Sequence, residues 1–299
     1  MKRSRIATLF TVIGCVLAAA AAQAQIDADA LKAITTYEFG QSREPLTVVA
    51  DQTTAARLAS PEQKAAAAAQ LAGLLGTDAT KDCKQFVCRQ LAIIGDADCV
   101  PALAALLEAP ETADMARYAL ERIRGPEAGG ALRAALESGA GCAKIGIVNS
   151  LGARECPCSI PVLQELATGK CPKTAAAAVA ALGKIGGPKA AKALAAAKKG
   201  ASAELARAVS DAQLVCAEGL LANGKTRKAT RIYKKLFDSG EEDPVRVAAF
   251  LGLVKTKGDK GVAFAKETAE DADAAIQEAA KGVIARAGCC GCRGCGGAK

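Results

Sequence analysis

A short apolar segment closed by glycine, or by alanine beside glycine, recurs seven times along this chain. The copies are FVCRQLAIIG, MARYALERIRG, IGIVNSLGA, AVAALGKIGG, VCAEGLLANG, VAAFLGLVKTKG and EAAKGVIARAG. Aligned on one apolar position, they bring Leu91, Leu120, Leu151, Leu182, Leu220, Leu251 and Val283 into register at spacings of 29, 31, 31, 38, 31 and 32 residues. A period of this length is one two-helix unit, which cannot bury its apolar face alone and must stack on its neighbours in a continuous superhelix. Partner segments with helical spacing lie between the copies: VPALAALL from Val100, ALRAAL from Ala131, IPVLQELA from Ile160 and AAKALAAA from Ala190. Pro101 and Pro161 are the second residues of their segments, where the first helical turn tolerates a missing N–H. Gly95, Gly125, Gly186 and Gly224 stand where a helix C-cap takes a left-handed residue. Strand patterns with β-branched alternation are missing. The expected fold is all-α, a right-handed α-solenoid of about seven to eight helix pairs.

Composition removes whole classes of chemistry. The chain has no His and no Trp, and only three Tyr. His-based triads, general bases, metal ligands and haem ligation are therefore excluded. So few aromatic rings make a stacking platform for single-stranded nucleic acid an unfit reading, and no nucleic-acid partner is expected. The core must be built from Ala, Leu, Ile and Val, side chains that suit helices packed at close range.

The beginning of the chain reads as an export leader. Lys2, Arg3 and Arg5 precede a short apolar stretch from Ile6 to Val16, and an Ala-rich segment ends Ala22-Gln23-Ala24, the small-x-small pattern of a signal-peptidase site. The apolar stretch falls short of the roughly 20 residues a spanning helix needs. An uncleaved anchor, or lipoprotein processing at Val12-Ile13-Gly14-Cys15, stands as the alternative. Cleavage after Ala24 lowers the formal charge of +8 by the three leader cations to +5, a mild excess, well short of a nucleic-acid binder's footprint. The expected organisation is a signal peptide over 1–24, N-terminal capping helices over 25–59, a repeat solenoid over 60–287 and a Cys/Gly-rich tail over 288–299. The mature chain is expected to be periplasmic or secreted, with no stable membrane insertion.

Ankyrin arrays share this period but carry a Thr-Pro-Leu-His turn that is absent. One stretch, Gly224-x4-Ala229-x3-Tyr233, is similar to a tetratricopeptide unit and coincides with the long spacing of 38. The runs QFVCRQLAIIGDADCVPALAALLE, DMARYALERI, IGIVNSLGARE and AALGKIGGPKAAKAL, with TYEFGQSREPL upstream, resemble a family of exported bacterial HEAT-repeat proteins, and more distantly the short repeats of the phycobilisome-lyase type. Members of the nearer family often carry a sugar-hydrolase-like or cytochrome domain beside the array, and neither is visible here. The resemblance implies the fold and a binding role, and names no ligand.

In such superhelices the second helix of each pair lines the concave side. Residues two before the aligned apolar position point about 200° away from it and form a row: Arg89, Tyr118, Asn149, Ala180, Glu218, Ala249 and Gly282. Arg89, Tyr118, Asn149 and Glu218 are the candidate binding residues, as the rim of a groove for a protein or peptide. The alternative is a solvated face with residues tying adjacent helices together, Asn149 bonding a loop backbone for example. A second candidate is the acid-free run KTRKATRIYKK, with Lys225, Arg227, Lys228, Arg231, Lys234, Lys235 and the aromatic Tyr233, set either toward an acidic partner or simply toward water.

Of 13 Cys, Cys15 leaves with the leader. An even remainder in an exported chain suggests disulfides. Cys142 and Cys171 both precede aligned helices of neighbouring units and are the candidate disulfide pair, whereas Cys88 and Cys216 fall inside apolar helices as small hydrophobes. Cys289, Cys290, Cys292 and Cys295 crowd the C-terminal GCCGCRGCGG, as disulfides, as a thiolate site for Zn²⁺ or Cu(I), or with no specific role. The leading expectation is a non-catalytic interaction scaffold of the cell envelope without a cofactor. A soft-metal-handling protein acting through the tail, and a lyase-like chromophore carrier, are its rivals.

Overall fold

The computed structural model describes residues 25–138, 141–270 and 273–290, with the side chains at 138, 141–143 and 288–290 outside that description. Residues 1–24, read above as a leader, lie outside it as well. Among the described residues there are sixteen α-helices and no strand, which is the all-α solenoid class read from the repeat.

The chain divides into two compact units, residues 1–154 and 155–299. The first holds α1 (Ala28–Thr35), α2 (Glu44–Leu58), α3 (Pro61–Leu75), α4 (Lys81–Ile94), α5 (Val100–Ala105), α6 (Pro110–Arg122), α7 (Pro126–Ser138) and α8 (Gly141–Ala153). Within it α2, α4, α6 and α8 pack one on the next, and α3, α5 and α7 do the same, giving two layers of helices. The second holds α9 (Ile160–Ala167), α10 (Pro172–Ile185), α11 (Gly187–Ala197), α12 (Ala203–Ala222), α13 (Thr226–Asp238), α14 (Asp243–Thr256), α15 (Gly261–Thr268) and α16 (Ala274–Cys290). There α10, α12, α14 and α16 pack in succession, and α9 lies against α11. The aligned copies in the sequence are therefore one layer of each unit.

Local chemistry sets the helix starts. Ser60 accepts from the Gln63 N–H at 3.3 Å while Gln63 accepts from the Ser60 N–H at 3.3 Å, a capping box completed by Pro61. Thr80 caps α4 through the Cys83 N–H, and Ser202 caps α12 through Leu205. Packing then selects the face. Leu91, Leu120, Leu151 and Leu182 are fully buried, and Leu220 is 2% exposed.

The register departs from expectation at the last two copies, where Leu251 and Val283 are only half-buried and Ala249 is fully buried. Phe250, Ile276 and Ala280 take the core positions. The reason is ring volume: Phe250 sits between Phe237 and Phe264, with centroids at 6.2 and 5.7 Å, and burying these rings outweighs keeping a leucine stripe in line. The 38-residue interval is explained by α12, which is 20 residues long. Gly125, Gly186 and Gly224 have the expected positive φ, but Gly95 does not, at φ −60°. Glycine is needed at 95 for close approach, since a Cβ there would lie 2.5 Å from the Leu91 carbonyl oxygen and 3.0 Å from Ile123.

Candidate interaction groove

In the first unit the outward side of α4 faces that of α6 across a groove of about 470 Å³. Cys88 and Met115, both buried, form its floor, and Gln85, Arg89, Glu111 and Tyr118 line its walls. Arg89 is exposed and Tyr118 is 43% exposed, so two residues of the predicted row do share one surface. The Arg122 guanidinium stacks 3.7 Å from the Tyr118 ring centroid and donates to the Tyr118 carbonyl at 2.9 Å, which holds the ring upright by a cation–π contact.

Across α4 a smaller hollow of about 180 Å³ shares Gln85 and Arg89 with this groove. It is lined by Phe39, Arg43, Asp82 and Phe86 among others. Phe39 is 92% exposed, and its loop is held by the Phe39 N–H donating to Asp82 Oδ2 at 2.8 Å. Arg89 thus stands between two exposed rings, Phe39 and Tyr118. The sequence reading missed Phe39, and the available signal was a large ring in a polar loop of a chain with only 3% aromatic residues.

Asn149 is exposed on α8 and its side chain makes no hydrogen bond among the described residues, so it does not tie a loop backbone as the alternative reading supposed. Its neighbours make the ties instead. Arg117 on α6 donates to Gly146 O at 3.1 Å and to Ser150 Oγ at 3.4 Å, and Ser150 donates to Glu121 at 2.7 Å. Arg154 reaches back across α8 to the C-terminus of α6, donating to the carbonyls of Leu120, of Ile123 at 2.6 Å and of Gly125 at 2.8 Å. It satisfies carbonyls that a helix end leaves without partners. Burial lowers the Arg154 pKa, Arg133 nearby lowers it further, and Glu121 opposes both. The runs MARYALERI and IVNSLGARE therefore meet face to face as an inter-repeat staple.

The second unit uses the same device with other residues. Lys198 donates to Ser210 Oγ at 2.8 Å and pairs with Glu241, which also accepts from Ser210 at 2.9 Å. Burial pushes the Glu241 carboxyl up, but these hydrogen bonds outweigh it and leave the group below its ordinary value. Arg207 pairs with Glu242, and Arg246 pairs with Asp273. Glu218 is exposed on α12. Lys225, Arg227, Lys228, Arg231, Lys234 and Lys235 are all exposed around α13, but Tyr233 is not part of that surface. It is 2% exposed, with its ring packed where Gly252 leaves room.

The cysteines separate by exposure. Burial raises the thiols of Cys83 to about 11, Cys88 to about 12 and Cys99 to about 11, and it raises Cys216 as well. These behave as small core side chains, as read for Cys88 and Cys216. Cys171 is an exposed free thiol, lowered by a hydrogen bond from Thr174 Oγ1 at 3.3 Å and by the Thr174 backbone N–H. The side chain of its expected partner Cys142 lies outside the described residues. A disulfide joins Cys156 and Cys158. Cys289 and Cys290 are the last residues of α16, and their side chains, with all of Cys292 and Cys295, lie outside the described residues.

A layered stack of helix pairs, tied by charged side chains crossing from one helix to the next, defines an α-solenoid repeat protein. Residues 142–214 match the family model described as HEAT repeats. No curated protein matches the sequence. Among solved structures it is similar to human deoxyhypusine hydroxylase in complex with glycerol, at 18% identity and a TM-score of 0.32 over 85% of this chain and 94% of that one. The complex of CpcE and CpcF of phycocyanin lyase from Nostoc sp. PCC7120 aligns at 15% identity and a TM-score of 0.39, covering 86% of this chain and 92% of that one. An engineered protein aligns at 17% identity and a TM-score of 0.29, covering 79% and 95%.

Proposed function

We propose that this chain is a non-catalytic scaffold that binds a protein or peptide segment along the outward side of α4 and α6. The observation that carries this reading is the α4–α6 groove, with Arg89 and Tyr118 in its walls and Phe39 exposed beyond Arg89. Rings held upright beside guanidinium groups are the side chains that dominate protein interfaces. A wall bearing both Arg89 and Glu111 suits an extended segment with mixed polar side chains better than a compact apolar ligand. The test is the affinity of a cross-linked and then purified partner for the intact chain and for an Arg89→Glu/Tyr118→Ala variant. Loss of one such anchor costs about 2 kcal/mol, so affinity should fall by at least roughly thirtyfold. Equal affinity, with both proteins melting alike, would refute the assignment.

The cell envelope is the proposed location, supported by the leader ending Ala22-Gln23-Ala24. N-terminal sequencing of the exported protein should begin at Gln25, and an intact Met1 in the envelope fraction would refute cleavage.

A further inference from the structure

The run of cations on α13 is not absorbed by the groove. On this helix Ala229, Tyr233 and Leu236 are buried, while Arg227, Lys228, Arg231, Lys234 and Lys235, with Lys225 just before the helix, are exposed. None of these six side chains makes an ion pair or hydrogen bond among the described residues. Two acids in the following turn, Glu241 and Glu242, are taken by Lys198 and Arg207. Of the other acids nearby, Asp238 stands beyond the cations at the end of the helix and Glu218 lies on α12, both exposed.

Three of the cations, Lys225, Arg227 and Lys228, surround the N-terminal turn, where the helix dipole is positive and acids are favoured. That turn has no acid and no side-chain cap. The arrangement opposes local helix chemistry with no compensation among the described residues, the pattern expected where function is served.

We propose that the outer face of α13 docks onto an anionic lipid bilayer. From Lys225 to Lys235 the exposed arc has no acid, no carboxamide, no aromatic ring and no large apolar side chain, so it reads charge density and not shape or sequence. The one aromatic ring of the helix that falls within this run, Tyr233, is buried, so no platform for stacking bases is presented. From Arg227 to Lys235 the helix advances about 12 Å, carrying its cations along one rigid face as phosphate headgroups are carried along a plane. The contact is peripheral, since the arc has nothing to insert and no helix among the described residues is long and apolar enough to cross a membrane.

The experiment is co-sedimentation of the purified chain with phosphatidylcholine vesicles containing about a third phosphatidylglycerol. Each Lys or Arg near an anionic surface contributes about fivefold in affinity, so Arg227→Gln/Arg231→Gln/Lys234→Gln should weaken binding by roughly a hundredfold. Half-molar salt should release the bound chain. Lys189→Gln/Lys192→Gln/Lys199→Gln, which removes exposed lysines around α11, should change binding by less than about twofold. All variants should keep the parent's circular-dichroism melt, because these residues are exposed. Lys234→Gln/Lys235→Gln provides a milder second variant of the same face. Failure of the intact chain to bind anionic vesicles at low salt, equal binding to pure phosphatidylcholine, or equal loss in the α11 variant would overturn the proposal. Preference for polyglutamate or for an oligonucleotide over the vesicles would overturn it too.

Discussion

Replacing Arg154 by alanine removes a guanidinium that donates to three carbonyls at the end of α6, those of Leu120, Ile123 and Gly125. Hydrogen bonds from a charged donor are worth about 1.5–3 kcal/mol each when the acceptor is left dry. Here the side chain is half-buried, and the Gly125 carbonyl lies at an exposed turn that regains water once the side chain is gone. Arg154 Nε is also buried without a partner, which counts against the parent. The net loss should be about 2–4 kcal/mol. In urea that loss should lower the unfolding midpoint by roughly 1–2 M, followed by far-ultraviolet circular dichroism. Arg154→Lys keeps a cation at the helix C-terminus but loses the planar fork, and should recover less than half of the loss. A change under about 0.5 kcal/mol in Arg154→Ala would refute the staple and leave the MARYALERI and IVNSLGARE motifs without the explanation offered here.

Gly252→Ala should destabilise by about 1–3 kcal/mol in thermal melts despite its better helix propensity, because the added Cβ lies 2.4 Å from the buried Tyr233 ring. Glu241 is held below its ordinary pKa in the folded chain, so its contribution is fully present above the unfolded carboxylate value and is lost as pH falls through the depressed folded value. Glu241→Gln should therefore be less stable to urea than the parent near neutrality, with the difference closing as pH falls through the depressed folded value. Iodoacetamide at neutral pH should label Cys171 quickly and leave Cys83, Cys88 and Cys99 untouched until the chain unfolds, as read by peptide mass spectrometry.

The helix pairs were legible because periodicity and punctuation are local. Apolar residues at helical spacing, prolines in first turns and closing glycines each act through neighbours in the chain, so type, order and approximate bounds follow without tertiary information. The outward row was legible in the same way where the leucine register holds, which is why Arg89 and Tyr118 emerge on one groove. It failed at Ala249 because Phe250 is the larger side chain to bury, and the competition between a ring and a leucine is decided across helices, not along one.

What only the tertiary structure decided is which polar residues are partnered. Asn149 and Ser150 are adjacent and similar in chemistry. One points to water and the other closes a bond with Glu121, a difference of about 100° around a helix whose neighbour lies 29 residues away in sequence. Arg154 reads as a surface charge until α6 is brought beside α8, and Tyr233 reads as an exposed ring until Gly252 opens space for it. Apolar burial is roughly proportional to area and indifferent to direction, so a pattern suffices to foresee it. A hydrogen bond demands a distance and an angle, and those exist only once the helices are stacked.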